Sequence, residues 1–196
     1  MGTKIVDPQT NKTNWKPGTL LSPVPAVMVT CQGNEGNPNI ITIAWTGTIC
    51  SEPPMLSISV RPERFSYNLI KETNQFVVNM PDQQIARETD LCGVISGKNK
   101  DKFHETGLTP GKSLTVKPPL IVECPINLEC KVKQEIKLGS HSMFLAEIKQ
   151  IQVSKNLIDK EGRLQTEKAG LISYAHGHYY KLGKKLGHFG YSVRKK

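Results

Sequence analysis

Between Ile126 and Ile136 the chain alternates with a period of two. Ile126, Leu128, Cys130, Val132 and Ile136 share one phase, and Asn127, Glu129, Lys131 and Lys133 the other. Successive side chains of a strand point to opposite faces, so this pattern spells a strand with one buried and one wet face. The turn LGSH follows, then a second strand over Met143–Val153. There the phase slips: Phe144, Ala146 and Ile148 lie on one parity, Ile151 and Val153 on the other. A bulge or sharp bend near Gln150 accounts for the slip, and barrels turn their corners with such bends.

Shorter strand signals precede this pair. They are Pro23–Thr30, Ile40–Trp45, Phe76–Met80 and Met55–Val60, where Leu56, Ile58 and Val60 alternate with Ser57 and Ser59. GNEGNPN over 33–39 and SEPP over 51–54 are turn clusters. Helical signals cover Phe65–Glu72, with Ser66 as a cap, and Gln83–Leu91. A third covers Asn99–Glu105, closed by Gly107. Six or more short strands joined mostly by tight turns predict a mainly β fold, an antiparallel barrel with a few short helices. A parallel βαβ sheet does not fit, because helices and strands do not alternate. No repeat or linker divides the 196 residues. We expect one domain over 1–196, with an N-terminal arm at 1–20 and a basic C-terminal tail at 171–196.

The net charge is +9. Lys181, Lys184, Lys185, Arg194, Lys195 and Lys196 supply two-thirds of that excess with no acidic residue among them. Such a field attracts nucleic acid, an anionic membrane or a phosphorylated small molecule. No apolar run approaches the roughly 20 residues of a membrane span, and the N-terminus has no apolar signal region. The five cysteines, Cys31, Cys50, Cys92, Cys124 and Cys130, are odd in number and lack zinc-type spacing. Reduced thiols in a cytoplasmic protein are the expectation. His176 and His178 could share a strand face, but without a third ligand the pair is not read as a metal site. No dinucleotide, Walker, nucleophile-elbow or zinc-protease motif occurs.

Four segments carry candidate chemistry. Ala44, Trp45, Thr46, Gly47 and Thr48 combine one large aromatic with small residues after a strand. Such a segment lets a flat ligand approach backbone N–H groups, or simply ends a strand on a core tryptophan. Arg61 and Arg64 precede Ser66 at a helix start, which makes either a phosphate pocket or a solvated basic turn. Lys98, Lys100 and Lys102 flank a glycine turn, and Lys102 has its stem beside Phe103. Gly139-Ser140-His141 forms the turn between the two best strands, where a histidine can orient a substrate or stay a surface residue.

Taken together, Asn39-x-x-Thr42-x-Ala44-Trp45-x-Gly47, Ser51-x-Pro53-Pro54, Arg61 and Ser66-Tyr67-x-x-Ile70 resemble the flavin reductase-like family, in its flavoredoxin branch. The likeness continues through Cys92-Gly93-x-x-Ser96-Gly97, Asp101-Lys102-Phe103, Gly107-Leu108-Thr109, Leu128-Glu129-Cys130 and Gly139-Ser140-His141-x-x-Phe144. The resemblance implies a split β-barrel that binds FMN, usually as a homodimer with flavin near the subunit interface. It implies an oxidoreductase fed by NAD(P)H that passes electrons to free flavin, ferric iron or a redox protein partner. Many members have Gly-Asp-His where this chain has Gly139-Ser140-His141. On this reading Ala44–Thr48 and Ser51 hold the ring, and Arg61, Arg64, Ser66 and Lys102 hold the phosphate. His141 then serves the nicotinamide end. Two other readings rank lower. One is a basic β-barrel that binds nucleic acid, supported by the tail with Tyr179, Tyr180, Phe189 and Tyr191. The other is a pyridoxamine-phosphate-oxidase-type split barrel, for which no sequence feature speaks.

Overall fold

The computed structural model describes residues 12–193. In chain order these form β1 (Val24–Pro25), β2 (Val27–Cys31), β3 (Asn39–Ile43), β4 (Thr46–Cys50), β5 (Met55–Val60), α1 (Phe65–Thr73) and β6 (Gln75–Met80). Then come α2 (Ala86–Val94), α3 (Lys102–Thr106), β7 (Pro110–Gly111), β8 (Leu120–Ile121), β9 (Ile126–Leu138), β10 (His141–Val153), β11 (Ile172–Ala175) and β12 (His178–Lys181).

Seven strands pair antiparallel in the order β3-β2-β6-β9-β10-β5-β4. That order explains the barrel. β3 and β4 lie at opposite edges of the sheet, yet only Ala44 and Trp45 separate them in the chain. Laid flat, six inter-strand gaps would put those edges about 29 Å apart. The link from Ile43 to Thr46 reaches about 11 Å at most. The sheet must therefore curl until its edges meet, and the Ser59 N–H donates to the Trp45 carbonyl at 2.9 Å, carrying the β4–β5 pairing up to that link. This is a split β-barrel, mainly β as the sequence predicts.

Alternate residues of the strands fill the interior: Val27, Val29 and Cys31 with Ile41 and Ile43, Leu56, Ile58 and Val60 with Phe76, Val78, Cys130, Phe144 and Ala146. Tyr67 and Ile70 of α1 join that cluster. A second cluster, including Met28, Ile40, Cys92 and Phe103, packs α2 and α3 against the outer face of β2 and β3. The register slips between Ile148 and Gln150, where the parity change predicts it, and again between Leu145 and Ala146.

Three expectations are corrected. The second face of β9 is not wet throughout, because Asn127 and Glu129 are buried. The loop between β7 and β8 covers it: Leu114 N donates to Glu129 Oε1 at 2.9 Å, and Thr115 N to Oε2 at 2.6 Å. Ser66 is not a helix cap, since Arg64 occupies that position and makes no side-chain cap bond. The third helix starts later than Asn99, because the Asp101 carboxylate accepts from Phe103 N and His104 N and so caps it.

The segment from 171 onward is partly ordered. β11 and β12 form a hairpin that pairs with β1 in a separate three-stranded sheet. Its two-residue turn places His176 and Gly177 at φ 49° and 91°, the positive values that favour a tight hairpin. Beyond β12, Leu182, Leu186, Phe189 and Val193 are exposed. The last three basic residues lie outside the described residues, as do positions 1–11 of the arm.

Candidate functional site

The seam of the barrel opens into a cleft of about 500 Å³. Ala26, Ile41, Ile43, Ala44 and Trp45 give it apolar walls, and Arg61 and Arg64 stand where β5 turns into α1. α2 closes one side with Asp90 and Gly93, and the β11–β12 hairpin closes another with Tyr174 and Tyr179. His141, at the start of β10, completes the lining. Helix and strand approach closely here: a Cβ on Gly93 would lie 3.3 Å from Thr42 Cβ.

A side pocket of about 180 Å³ shares Ile41, Arg61, Arg64 and Gly93 with the cleft, so the two are continuous. Ser66, Gly97 and Lys102 line it, with Glu63 and Phe65 at the start of α1. Asn39 Nδ2 donates to Ser66 Oγ at 2.7 Å. A Cβ on Gly97 would fall 1.9 Å from Asn39 Oδ1, so only glycine lets the loop lie on that pair.

Lys102 is the unusual residue of this pocket. It is only 4% exposed, and its Nζ donates to the carbonyls of Ile40 and Cys92, each at 2.7 Å. No carboxylate pairs with it among the described residues. Burial therefore lowers its pKa from the ordinary lysine range, and the Cys92 and Cys31 thiols offset this only in part. A buried cation without an anion is costly, and an anionic ligand relieves that cost. The three donors of an ammonium leave one for such a ligand.

The predicted residues thus separate into groups. Ala44, Trp45, Arg61, Arg64 and His141 meet in the cleft, and Arg61, Arg64, Ser66 and Lys102 meet in the side pocket. Trp45 is a wall rather than a core residue, at 38% exposed. Thr46, Gly47 and Thr48 do not line either space. They form edge strand β4, where Thr46 Oγ1 donates to the Ser57 carbonyl at 2.8 Å. Ser51 lies in the turn beyond β4, also off the cleft. Lys102 differs from expectation in being wholly buried, while Lys98 and Lys100 are exposed.

Asp90, Tyr174 and Tyr179 belong to the site although the sequence reading did not assign them to it. Tyr174 and Tyr179 pack edge to face with centroids 5.5 Å apart. Burial, aided by the nearby Asp90 carboxylate, pushes the Tyr179 phenol up to about 12. The tyrosine thus faces the cleft instead of an extended nucleic-acid surface. The available signal was the turn-forming His-Gly pair between two β-prone tetrads.

Known proteins share this fold. The Flavin reductase like domain family matches residues 20–183. The flavoredoxin of Desulfovibrio vulgaris (Miyazaki F) is 30% identical and superposes with a TM-score of 0.88, covering 94% of this chain and 100% of that one. An uncharacterised Archaeoglobus fulgidus protein is 34% identical over 114 residues, which are 58% of this chain and 64% of that protein. An Aeropyrum pernix protein, also uncharacterised, is 29% identical over 133 residues, 67% of this chain and 50% of that protein. The chain thus spans less than two-thirds of the length of these two relatives. The match over most of the chain, with the split barrel and its seam cleft, makes this protein a member of the flavin reductase-like family.

Proposed function

We propose that the protein is an FMN-binding oxidoreductase that takes hydride from NAD(P)H and delivers electrons to free flavin, ferric iron or a protein partner. The observation that carries this reading is the buried Lys102, unpaired with any carboxylate among the described residues, under a small pocket that opens into a cleft with apolar walls at Ala26, Ile41, Ile43, Ala44 and Trp45. A phosphate monoester suits the pocket, and an aromatic ring system suits the cleft. The similarity to a flavoredoxin supports the same assignment.

In this reading Lys102, Arg61 and Arg64 hold the phosphate, with Ser66 behind them. The Ala44 side chain is small enough for a ring to lie against the backbone, and the Trp45 indole borders it. Thr46–Thr48 and Ser51 line neither space, so in this reading they serve the ring's polar edge only where it extends past Trp45 along edge strand β4, whose outer side has no strand partner among the described residues. Bound FMN supplies the two-electron exchange between a reduced nicotinamide and an acceptor. The chain's own part is placement and fixed dipoles. His141, whose Nδ1 lies 2.9 Å from Ser140 Oγ, orients the molecule that approaches the ring.

A second copy of the chain completes the outer side of the cleft in this proposal, consistent with the exposed Ile49, Leu182 and Leu186. The five free cysteines, four of them buried, suit a reducing cytoplasm. Among the described residues, no helix is long and apolar enough to cross a membrane.

An absorbance spectrum of purified protein with FMN, followed by anaerobic NADH or NADPH, tests the reading. We expect a bound-flavin spectrum whose visible band bleaches on adding the nucleotide. Protein that leaves FMN free in solution overturns it, and a bound flavin that resists both nucleotides removes the NAD(P)H part.

A further inference from the structure

Where the two long strands slip between Leu145 and Ala146, Leu145 stands opposite Gln134 and Ala146 opposite Val132, which leaves Lys133 without a partner. One extra residue reverses the phase of every residue after it, and such bulges re-aim side chains beside sites. Glu135 thereby stands opposite Phe144, and partners across a ladder share a face. Phe144 is a core residue, so a carboxylate points to the barrel interior where the sequence alternation calls for Ile136.

Three elements meet at that carboxylate. Tyr67 of α1 is buried, with its ring 5.7 Å from Phe144, and its hydroxyl donates to Glu135 Oε1 at 2.7 Å. Ser142, near the start of β10, is buried on the same face and pairs with Val60 at the end of β5. The Tyr67 hydroxyl above all, helped by Ser142 and Lys71, outweighs burial and holds the Glu135 carboxyl below the ordinary range, so it is an acceptor. Lys71 Nζ adds a looser ion pair, 3.6 Å from Oε2. Each of the three elements carries a residue of the site next door: Ser66 precedes Tyr67, Arg61 follows Val60, and His141 precedes Ser142.

We propose that Glu135 is a positioning residue that ties the phosphate end of the cleft to its histidine end, through Tyr67 and Ser142, so that an anion held in the side pocket is felt at His141. The proposal deepens the flavin reading and rests on it only for the identity of that anion. The tether is a hydrogen bond rather than a charge. The start of α1 cannot move toward a bound anion without either breaking the Tyr67–Glu135 bond or drawing β9 with it. β9 in turn is laddered to the His141 end of β10, and close-packed interiors pass such displacements on. The Lys71 pair is half-exposed, and a pair of that kind holds little.

Inorganic phosphate is titrated into the full chain and followed by NMR. The imidazole signals of His141, assigned by their loss in His141→Asn, report the far end, and the backbone amide of Ser66 reports the pocket. We expect both to shift in the wild type and in Glu135→Gln, which keeps the accepting oxygen. In Tyr67→Phe, which keeps the ring, and in Glu135→Leu, the Ser66 response should persist while the His141 shift is lost. Combining those two substitutions should cost no more than either alone, since both cut one link. Tyr67→Phe carries the test if Glu135→Leu does not fold. A His141 shift that survives in Tyr67→Phe, one that is lost in Glu135→Gln, or none in the wild type overturns the proposal. An absorbance titration with FMN judges the flavin reading separately. FMN left free while phosphate still moves both signals overturns that reading alone, and bound FMN with a silent His141 overturns the tether alone.

Discussion

Two charges are buried among the described residues, and their surroundings differ. Glu129 is fully buried, and its oxygens accept from Leu114 N, Thr115 N, Thr115 Oγ1 and Gln152 Nε2. Burial alone would raise its pKa, but those hydrogen bonds outweigh burial and hold it below the ordinary value. Lys102, almost as buried, has two carbonyls and a pocket. There burial wins and the pKa falls. A buried charge surrounded by enough donors is a piece of architecture; here it nails the β7–β8 loop onto β9. A buried charge that the protein satisfies only in part is ground prepared for a ligand of opposite sign.

The sharpest way to break this contrast is to remove each charge. Glu129→Ala leaves several buried donors without an acceptor, and urea unfolding should show a loss of about 3 kcal/mol. Lys102→Met should leave the unfolding midpoint unchanged or raised, because it removes a desolvated charge. The same variant should weaken FMN about 10–100-fold, matching the ~1.5–3 kcal/mol of a charge-assisted hydrogen bond. Riboflavin, which lacks the phosphate, should bind both proteins alike, with flavin fluorescence as the readout. Next in size, Gly97→Ala forces the loop off the Asn39–Ser66 pair. We expect FMN to weaken about tenfold, within the ~1–3 kcal/mol of an overpacked site.

The smallest expected effect is in pH, and the range in which it falls separates the two charges. The folded pKa of Glu129 is depressed, so its contribution to stability is complete above the unfolded glutamate value near 4.5 and is lost as pH falls through the folded value. The folded pKa of Lys102 is also depressed, but for a base this means that folding disfavours the charged form. The unfolded chain keeps the proton longer, so stability rises as pH climbs from the folded pKa towards about 10.5. FMN affinity should fall over that same alkaline window in the wild type and stay flat in Lys102→Met, measured by equilibrium titration at each pH.

Much of the barrel was legible because burial has a period. The β9 alternation and the parity slip before Ile151 place two long strands and a bend correctly. β4 was not read as a strand, because Thr46–Cys50 mixes glycine and small polar residues and is held by its edge position rather than by its own preference. Glu129 looked solvated because the alternation of one strand cannot reveal that a distant loop covers its other face. Ala44, Trp45, Arg61 and Arg64 were found at the cleft because glycine-adjacent aromatics and paired arginines are unusual together. Lys102 was named as a phosphate ligand, but its burial depends on β3 and α2 meeting over it, which no local pattern encodes. The tyrosines of the hairpin read in the sequence as part of a tail, since a four-residue strand has too few positions to show its phase.

The short passage from β3 to β4 has a lasting consequence. Ala44 and Trp45 both complete the barrel and line the cleft. One inserted residue there would loosen the whole molecule as well as the site, so mutation has little room to lengthen it. Descendants that acquire new chemistry are freer to change the surrounding parts: the β11–β12 hairpin, the arm before β1 and the turn at His141. The floor of the cleft is in this sense inherited with the fold, while its rim is left to the periphery.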